Sequence, residues 1–256
     1  MNVFALEFPP INEILRWRPF FGSFNKIALI AVLAALIGIV IFLLAGRQDP
    51  MVAPKGVRNL AETSVEFIEN SIVMQTMGRD GLGWTPMLLS IFVFVYLCNL
   101  PGIIPFFQMP ATARMAIPLI LALLVWVLYN GAGIKHQGFF KYFKNIMFPP
   151  GVPKALYVLM TPIEFISTII VRPFSLAIRL FANMLAGHLL LVTFALLTDA
   201  MFQAKTKQLL LVPMGVLPLA MLIFLTAFEV LVGFLQAYIF TILTAVFIGG
   251  AVHPEH

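Results

Sequence analysis

Residues 160–198 read MTPIEFISTIIVRPFSLAIRLFANMLAGHLLLVTFALLT, 39 residues in which only Glu164, Arg172, Arg179 and His188 can carry a charge. A helix rises 1.5 Å per residue, so such a run reaches about 58 Å, against about 30 Å of bilayer hydrocarbon. A second run, 208–250, has 43 residues and reaches about 64 Å by the same rise. Each is therefore a hairpin of two spans or one long helix at a steep tilt. Neither run contains an Asn-Gly or Pro-Gly turn signal, and Pro173, Pro213 and Pro218 are isolated kinks. Two long, steeply tilted helices are the better reading, and they need a protein surface to lie against.

The rest of the chain agrees that its solvent is lipid. Of 256 residues, 61% are hydrophobic and 11% charged, with a mean hydropathy of +1.00. Soluble domains carry about 25% charged residues. The net charge of +5 is spread along the chain, with no Lys/Arg stripe on one element, which argues against nucleic acid as a partner. The one cysteine, Cys98, excludes an internal disulfide and a Cys-based metal motif, and it reads as packing within Leu88–Leu100. The first apolar run, Ile27–Ala45, is too long for a signal-peptide core. Glu7, Glu13 and Pro9-Pro10 precede it where a short basic region would stand, so it reads as a retained span.

Spans are thus expected at about 27–45, 84–104, 115–133, 160–198 and 208–250, in one polytopic membrane domain over 1–256. Between the first two, residues 57–74 set Val57, Leu60, Ala61, Val65, Ile68 and Ile72 on one helical stripe, with Glu62, Glu66 and Glu69 on another. This is a surface helix whose acidic face favours a protein neighbour over anionic lipid. Residues 134–154 mix Lys135, Lys141, Lys144 and Lys154 with Phe139, Phe140, Tyr142 and Phe143, the composition of an interfacial loop on the positive side. An outer N-terminus and a cytoplasmic C-terminus give the inner loops eight Lys or Arg and the outer ones six, in the sense of the positive-inside rule. No internal repeat supports an inverted-repeat transporter.

Charges inside a membrane are costly and usually functional. The first three spans have none away from their ends, whereas the last two hold Glu164, Arg172, Arg179, His188 and Glu229. At ~100° per residue, Arg172, Arg179 and Asn183 share a face, with Ser175 beside them. His188 points to the opposite side, where it can meet Glu229 and Gln236, which share a face of the last helix. Arginine does not give up its proton, so Arg179 cannot relay one. It attracts a carboxylate and repels a passing cation. His188 and Glu229 can exchange protons with water. Together they describe a proton path with a barrier in it. Arg172 reads equally as a snorkelling residue or a member of the path, and Gln236 equally as interhelical glue.

The run Arg172-Pro173-Phe174-Ser175-Leu176-Ala177-Ile178-Arg179-Leu180-Phe181-Ala182-Asn183-Met184-Leu185-Ala186-Gly187-His188 resembles the signature of the a-subunit of F-type ATP synthases. Asn99-Leu100-Pro101-Gly102-Ile103-Ile104-Pro105 resembles the family's element at the end of a spanning helix, and Glu229 with Gln236 resembles the pair of its last helix. The resemblance implies five spanning helices and one surface helix, in a stator lying against a rotating ring of c-subunits and held by peripheral-stalk b-type subunits. Arg179 would face each ring carboxylate. His188, Asn183, Glu229 and Gln236 would line the outer half-channel, with Glu164 and Ser167 near the cytoplasmic one. In some relatives the acid and the histidine are exchanged between the two helices. One spacing departs: Glu164 stands eight residues before Arg172, where the family has seven. That turns Glu164 by about 100° unless the helix bulges.

The competing classes are an autonomous ion channel or secondary transporter, and a membrane enzyme or passive scaffold. HExxH, GxSxG and clustered-Asp motifs are absent, as is a nucleotide-binding loop. The chain is therefore expected to be no enzyme alone, to use neither cofactor nor metal, and to leave nucleotide chemistry to partner chains. Its compactness and lack of a transit-like segment favour a bacterial plasma membrane.

Overall fold

The computed structural model describes residues 26–47, 53–104, 110–148, 157–202 and 215–252, of Val158 only the backbone. Its elements are α1 (Lys26–Gly46), α2 (Val57–Ile68), α3 (Thr85–Asn99), α4 (Ala116–Gln137), α5 (Phe139–Met147), α6 (Tyr157–Ile166), α7 (Arg172–Phe202) and α8 (Val216–Val252). Among the described residues all regular structure is helical, and five helical runs are long and apolar enough to cross a membrane: Lys26–Gly46, Gly78–Gly102, Ala116–Gln137, Leu159–Phe202 and Val216–Val252. The hairpin alternative fails, because Leu159–Phe202 is one helical run of 44 residues and Val216–Val252 one of 37. Residues 208–214, with Pro213, and the loop residues Arg16, Arg18, Lys154, Lys205 and Lys207 lie outside the described residues, as does Pro105.

The join between α6 and α7 is a π-turn, Ser167–Val171, in which the Arg172 N–H donates to the Ser167 carbonyl five residues back. Pro173 follows the turn directly. It has no N–H to offer, and the wider spacing does not make up for that, so a carbonyl of the turn must be served from elsewhere. The turn takes up one extra residue, so the eight-residue spacing from Glu164 to Arg172 acts as seven. In a regular helix they would stand about 80° apart, whereas with the bulge they are about 20° apart. The bulge that the spacing required is present.

Side chains from α3, α4, α7 and α8 build the main core: Leu88, Phe92 and Val95, then Ala122, Val125 and Tyr129, then Leu176, Ala177 and Leu180, then Ala237, Phe240, Ala245 and Ile248. In lipid there is little hydrophobic drive between helices, and small residues such as these alanines let backbones approach. A smaller core joins Ile27, Ile30 and Ala34 of α1 to Cys98, Ala111, Ala113 and Met184. The surface helix docks through Phe67, whose ring lies 5.7–5.8 Å from those of Phe92, Phe234 and Tyr238. Its stripe is only partly covered. Ala61, Ile68 and Ile72 are buried, but Val57 and Leu60 are exposed. Glu62 is held by Arg58 one turn before it, at 2.7 Å, while Glu66 is exposed.

Helix α5 is amphipathic. Phe140, 88% exposed, and Phe139 stand on its free side beside Lys141 and Lys144, as an interfacial helix requires. Its other side is fastened by Tyr142. Gly133 of α4 leaves no side chain there, and the Tyr142 ring fills the space a Cβ would take. Burial, with the Tyr129 phenol nearby, pushes the Tyr142 phenol up to about 12, so it stays protonated and donates to Asn130 Oδ1 at 3.0 Å. Asn145 donates to Gln137 Oε1, and Gln137 to the Ala251 carbonyl near the end of α8, both at 2.8 Å. Gly133→Val is expected to expel the ring and destabilise the fold by about 1–3 kcal/mol, the usual range for overpacking. Thermal unfolding of the purified protein should show a lower Tm, with Tyr142→Phe much milder.

Candidate functional site

The site grows from the two long helices. On α7 the exposed positions Phe174, Ser175, Ile178, Ala182, Asn183 and Ala186 form one stripe, and Arg172 and Arg179 stand half-buried along it. This is the face that helical phase predicts for Arg172, Ser175, Arg179 and Asn183, and much of its outer edge is small or polar.

The two arginines differ in their surroundings. Arg172 Nη2 donates to Glu164 Oε1 at 3.2 Å, and its guanidinium lies 5.4 Å from the centre of the Phe247 ring of α8. A carboxylate and an aromatic face therefore share that cation, the second worth about 0.5–2 kcal/mol. Arg179 has no ion-pair or hydrogen-bond partner among the described residues. An unneutralised arginine at mid-span costs about 2.5–3.5 kcal/mol even on insertion-based scales.

Behind the arginines lies a polar seam between α7 and α8. Asn183 Nδ2 donates to Gln236 Oε1 at 2.8 Å, which ties the arginine face to a glutamine that is only 2% exposed. Glu229 is 5% exposed and lies against Gly187, where a Cβ would stand 3.1 Å from its Oε1. Its Oε2 has no hydrogen-bond partner among the described residues, and neither has Gln236 Nε2. Buried polar atoms are normally satisfied, and exceptions call for a functional or solvent explanation. His188 is buried, 4% exposed, as its phase requires.

The expected meeting of His188 with Glu229 and Gln236 involves no direct polar bond among the described residues. Glu229 is met by Gly187, and Gln236 by Asn183. The missing side chain at Gly187 admits the Glu229 carboxyl, and Asn183 reaches across the helix pair. Phase fixes the face of each residue on its own helix, but not the rotation of the neighbour.

At the end of the bundle that carries Lys141, a cavity of about 1250 Å³ opens beside Glu164 and Arg172, lined also by Tyr129, His136, Gln137, Asn145 and Thr168. Ser167, expected near Glu164, does not line it, because the wide turn presents Thr168 instead. At the other end, Thr112 donates to Asn99 Oδ1 at 2.5 Å, and Asn99 donates to the Gly233 carbonyl at 3.4 Å, between Glu229 and Gln236. This explains a polar Asn99 inside a buried helix end. Sequence reasoning missed Phe247, Thr112 and Tyr129. The signal for Tyr129 was available, since Tyr129-Asn130 interrupts an otherwise apolar run. Among the described residues no three His, Cys, Asp or Glu side chains converge as metal ligands.

The model of the family described as ATP synthase A chain matches residues 27–249. A protein of Frankia alni named ATP synthase subunit a is 46% identical over 234 residues, covering 91% of this chain and 79% of its own length. Its namesake in Rhodococcus erythropolis is 41% identical over 252 residues, 97% of this chain and 89% of the relative. One from Beijerinckia indica is 42% identical over 234 residues, covering 91% and 88%.

The seam itself can be tested. With Cys98 replaced by Ala, cysteines at Asn183 and Gln236 should be joined by a short bifunctional thiosulfonate in native membranes. Cysteines at His188 and Gln236 should be joined far less. Equal yields from the two pairs would contradict the pairing of Asn183 with Gln236.

Proposed function

This chain belongs to the ATP synthase A chain family, and we propose that it is the proton-conducting stator of a rotary ATP synthase, with Arg179 as the barrier between two half-channels. The observation that carries this reading is the unpartnered guanidinium of Arg179 on the outward stripe of α7, supported by the density of the Arg172–His188 signature. An isolated cation there lacks a carboxylate that its own chain does not supply. A ring of c-subunits passing this face would bring one in each subunit. As the ring carboxylate approaches, Arg179 favours its ionised form, so the proton leaves. The same fixed charge repels a proton that would otherwise cross directly.

The remaining assignments follow the geometry on either side of Arg179. His188, Glu229, Gln236 and Asn183 form the outer half-channel, with the unpartnered oxygen of Glu229 as the group able to hand a proton on. Glu164 and the cavity beside it form the cytoplasmic half-channel, near Ser167 and next to Arg172. Ser175 lies along the arginine face and borders the ring. Arg172 acts through Glu164: it fixes the carboxylate and leaves Arg179 as the free cation of the stripe. Peripheral-stalk b-type subunits meet the acidic surface helix, whose Val57 and Leu60 are exposed. The N-terminus lies outside and the C-terminus in the cytoplasm of a bacterial plasma membrane, which puts Lys135, Lys141 and Lys144 on the inner side, as the positive-inside rule favours.

Arg179→Ala is expected to abolish ATP-driven acidification of vesicles that contain the assembled complex, while assembly persists. Retained acidification would sink the reading. Gly187→Val should push the Glu229 carboxyl aside and lower proton flux by about tenfold or more, the scale on which small displacements of a reacting group act. Gly187→Ala should fall between. Flux would be followed by a pH-sensitive dye in energised vesicles.

A further inference from the structure

The π-turn that brings Glu164 into line with Arg172 leaves one carbonyl without a backbone donor. In this turn the Arg172 N–H goes to Ser167 O. The next bond of the same pattern would run from residue 173 to Thr168 O, and residue 173 is proline, which has no N–H. Thr168 O is thus orphaned at membrane depth, where an unsatisfied carbonyl costs several kcal/mol. Tyr129 of α4 supplies the donor: its hydroxyl gives a hydrogen bond to Thr168 O at 2.6 Å. Tyr129 is 1% exposed and Thr168 2%, so the bond lies within the wall of the cavity beside Glu164. Among the described residues a second π-turn, Glu69–Val73, is also approached by a tyrosine, with Tyr238 OH 3.4 Å from Ser71 O, but no proline follows it.

We propose that Tyr129 is a positioning residue for proton transfer: its bond to the Thr168 carbonyl holds the π-turn, and the π-turn sets Glu164 on the face of Arg172. Without that donor, the turn gains by rewinding toward a regular helix. Rewinding rotates the segment carrying Glu164 by about one residue, near 100°, away from Arg172 and out of the cavity wall. The inference rests on the proposed roles of Glu164 and Arg172 in the cytoplasmic half-channel.

The test uses the assembled complex in vesicles and in purified form. Tyr129→Phe, which removes one oxygen, should lower ATP-driven proton pumping at least threefold with assembly intact, and speed deuterium uptake in the peptide spanning 167–172. Pro173→Ala returns an N–H that can serve Thr168 O, so the double variant should recover at least half of the lost pumping and regain wild-type protection of 167–172. A merely structural loss at Tyr129 would not be repaired from residue 173. Wild-type pumping with unchanged exchange in Tyr129→Phe would overturn the proposal. So would a double variant no better than Tyr129→Phe, where Pro173→Ala alone pumps. If Pro173→Ala alone does not pump, exchange decides: protection of 167–172 restored in the double variant supports the proposal, and protection left at the Tyr129→Phe level refutes it. The exchange readout does not depend on proton flow, so it stands apart from the outcome of Arg179→Ala.

Discussion

A guanidinium keeps its proton in lipid as it does in water, so each arginine in a spanning helix has to be matched by an opposite charge, an aromatic face or a route to solvent. The two arginines of α7 meet this constraint differently. Arg172 is matched within the chain by Glu164 and Phe247. Arg179 is left on the outward stripe without a partner among the described residues. The π-turn before Arg172 and the small residues along the stripe make sense as consequences of that difference. One arginine has to be neutralised locally if the other is to act as the single free cation of the face.

The division of the seam behind Arg179 follows from helix geometry. Residues 183 and 187 are one turn apart on α7, and each meets α8 in its own way. Asn183 does so by donating to Gln236, and Gly187 by making room for Glu229. The buried histidine stands one residue beyond the glycine. In the proposed mechanism this leaves a carboxyl oxygen and an amide nitrogen facing a protected polar space on one side of the arginine. The cavity beside Glu164 lies on the other.

Much of this was legible in the residues themselves. Length and hydropathy located the spans, and the lack of turn signals in 160–198 separated a single helix from a hairpin. The spacing of Glu164 and Arg172 even stated the condition, a bulge, under which the two could share a face. What stayed hidden was cross-helix pairing. A 100° step tells which residues of α7 lie together, but rotation and depth of α8 are set by packing, so Asn183 rather than His188 reaches Gln236. Phe247 carries no polar signal at all, and its place under Arg172 depends on where α8 crosses. Leu60 reads as a core residue by periodicity, yet it is exposed.

The long helices α7 and α8 are in contact along the bundle, and alanines at 177, 237 and 245 lie in the core they share with α3 and α4. Short side chains leave few rotatable bonds between two backbones, so such a junction resists bending and sliding more than one padded with long, flexible residues. Any rotor pressed against α7 exerts an equal and opposite torque on it. The alanine contacts then act as a mechanical stiffener, since compliance between the helices would let the arginine follow the rotor and waste angular displacement as elastic strain.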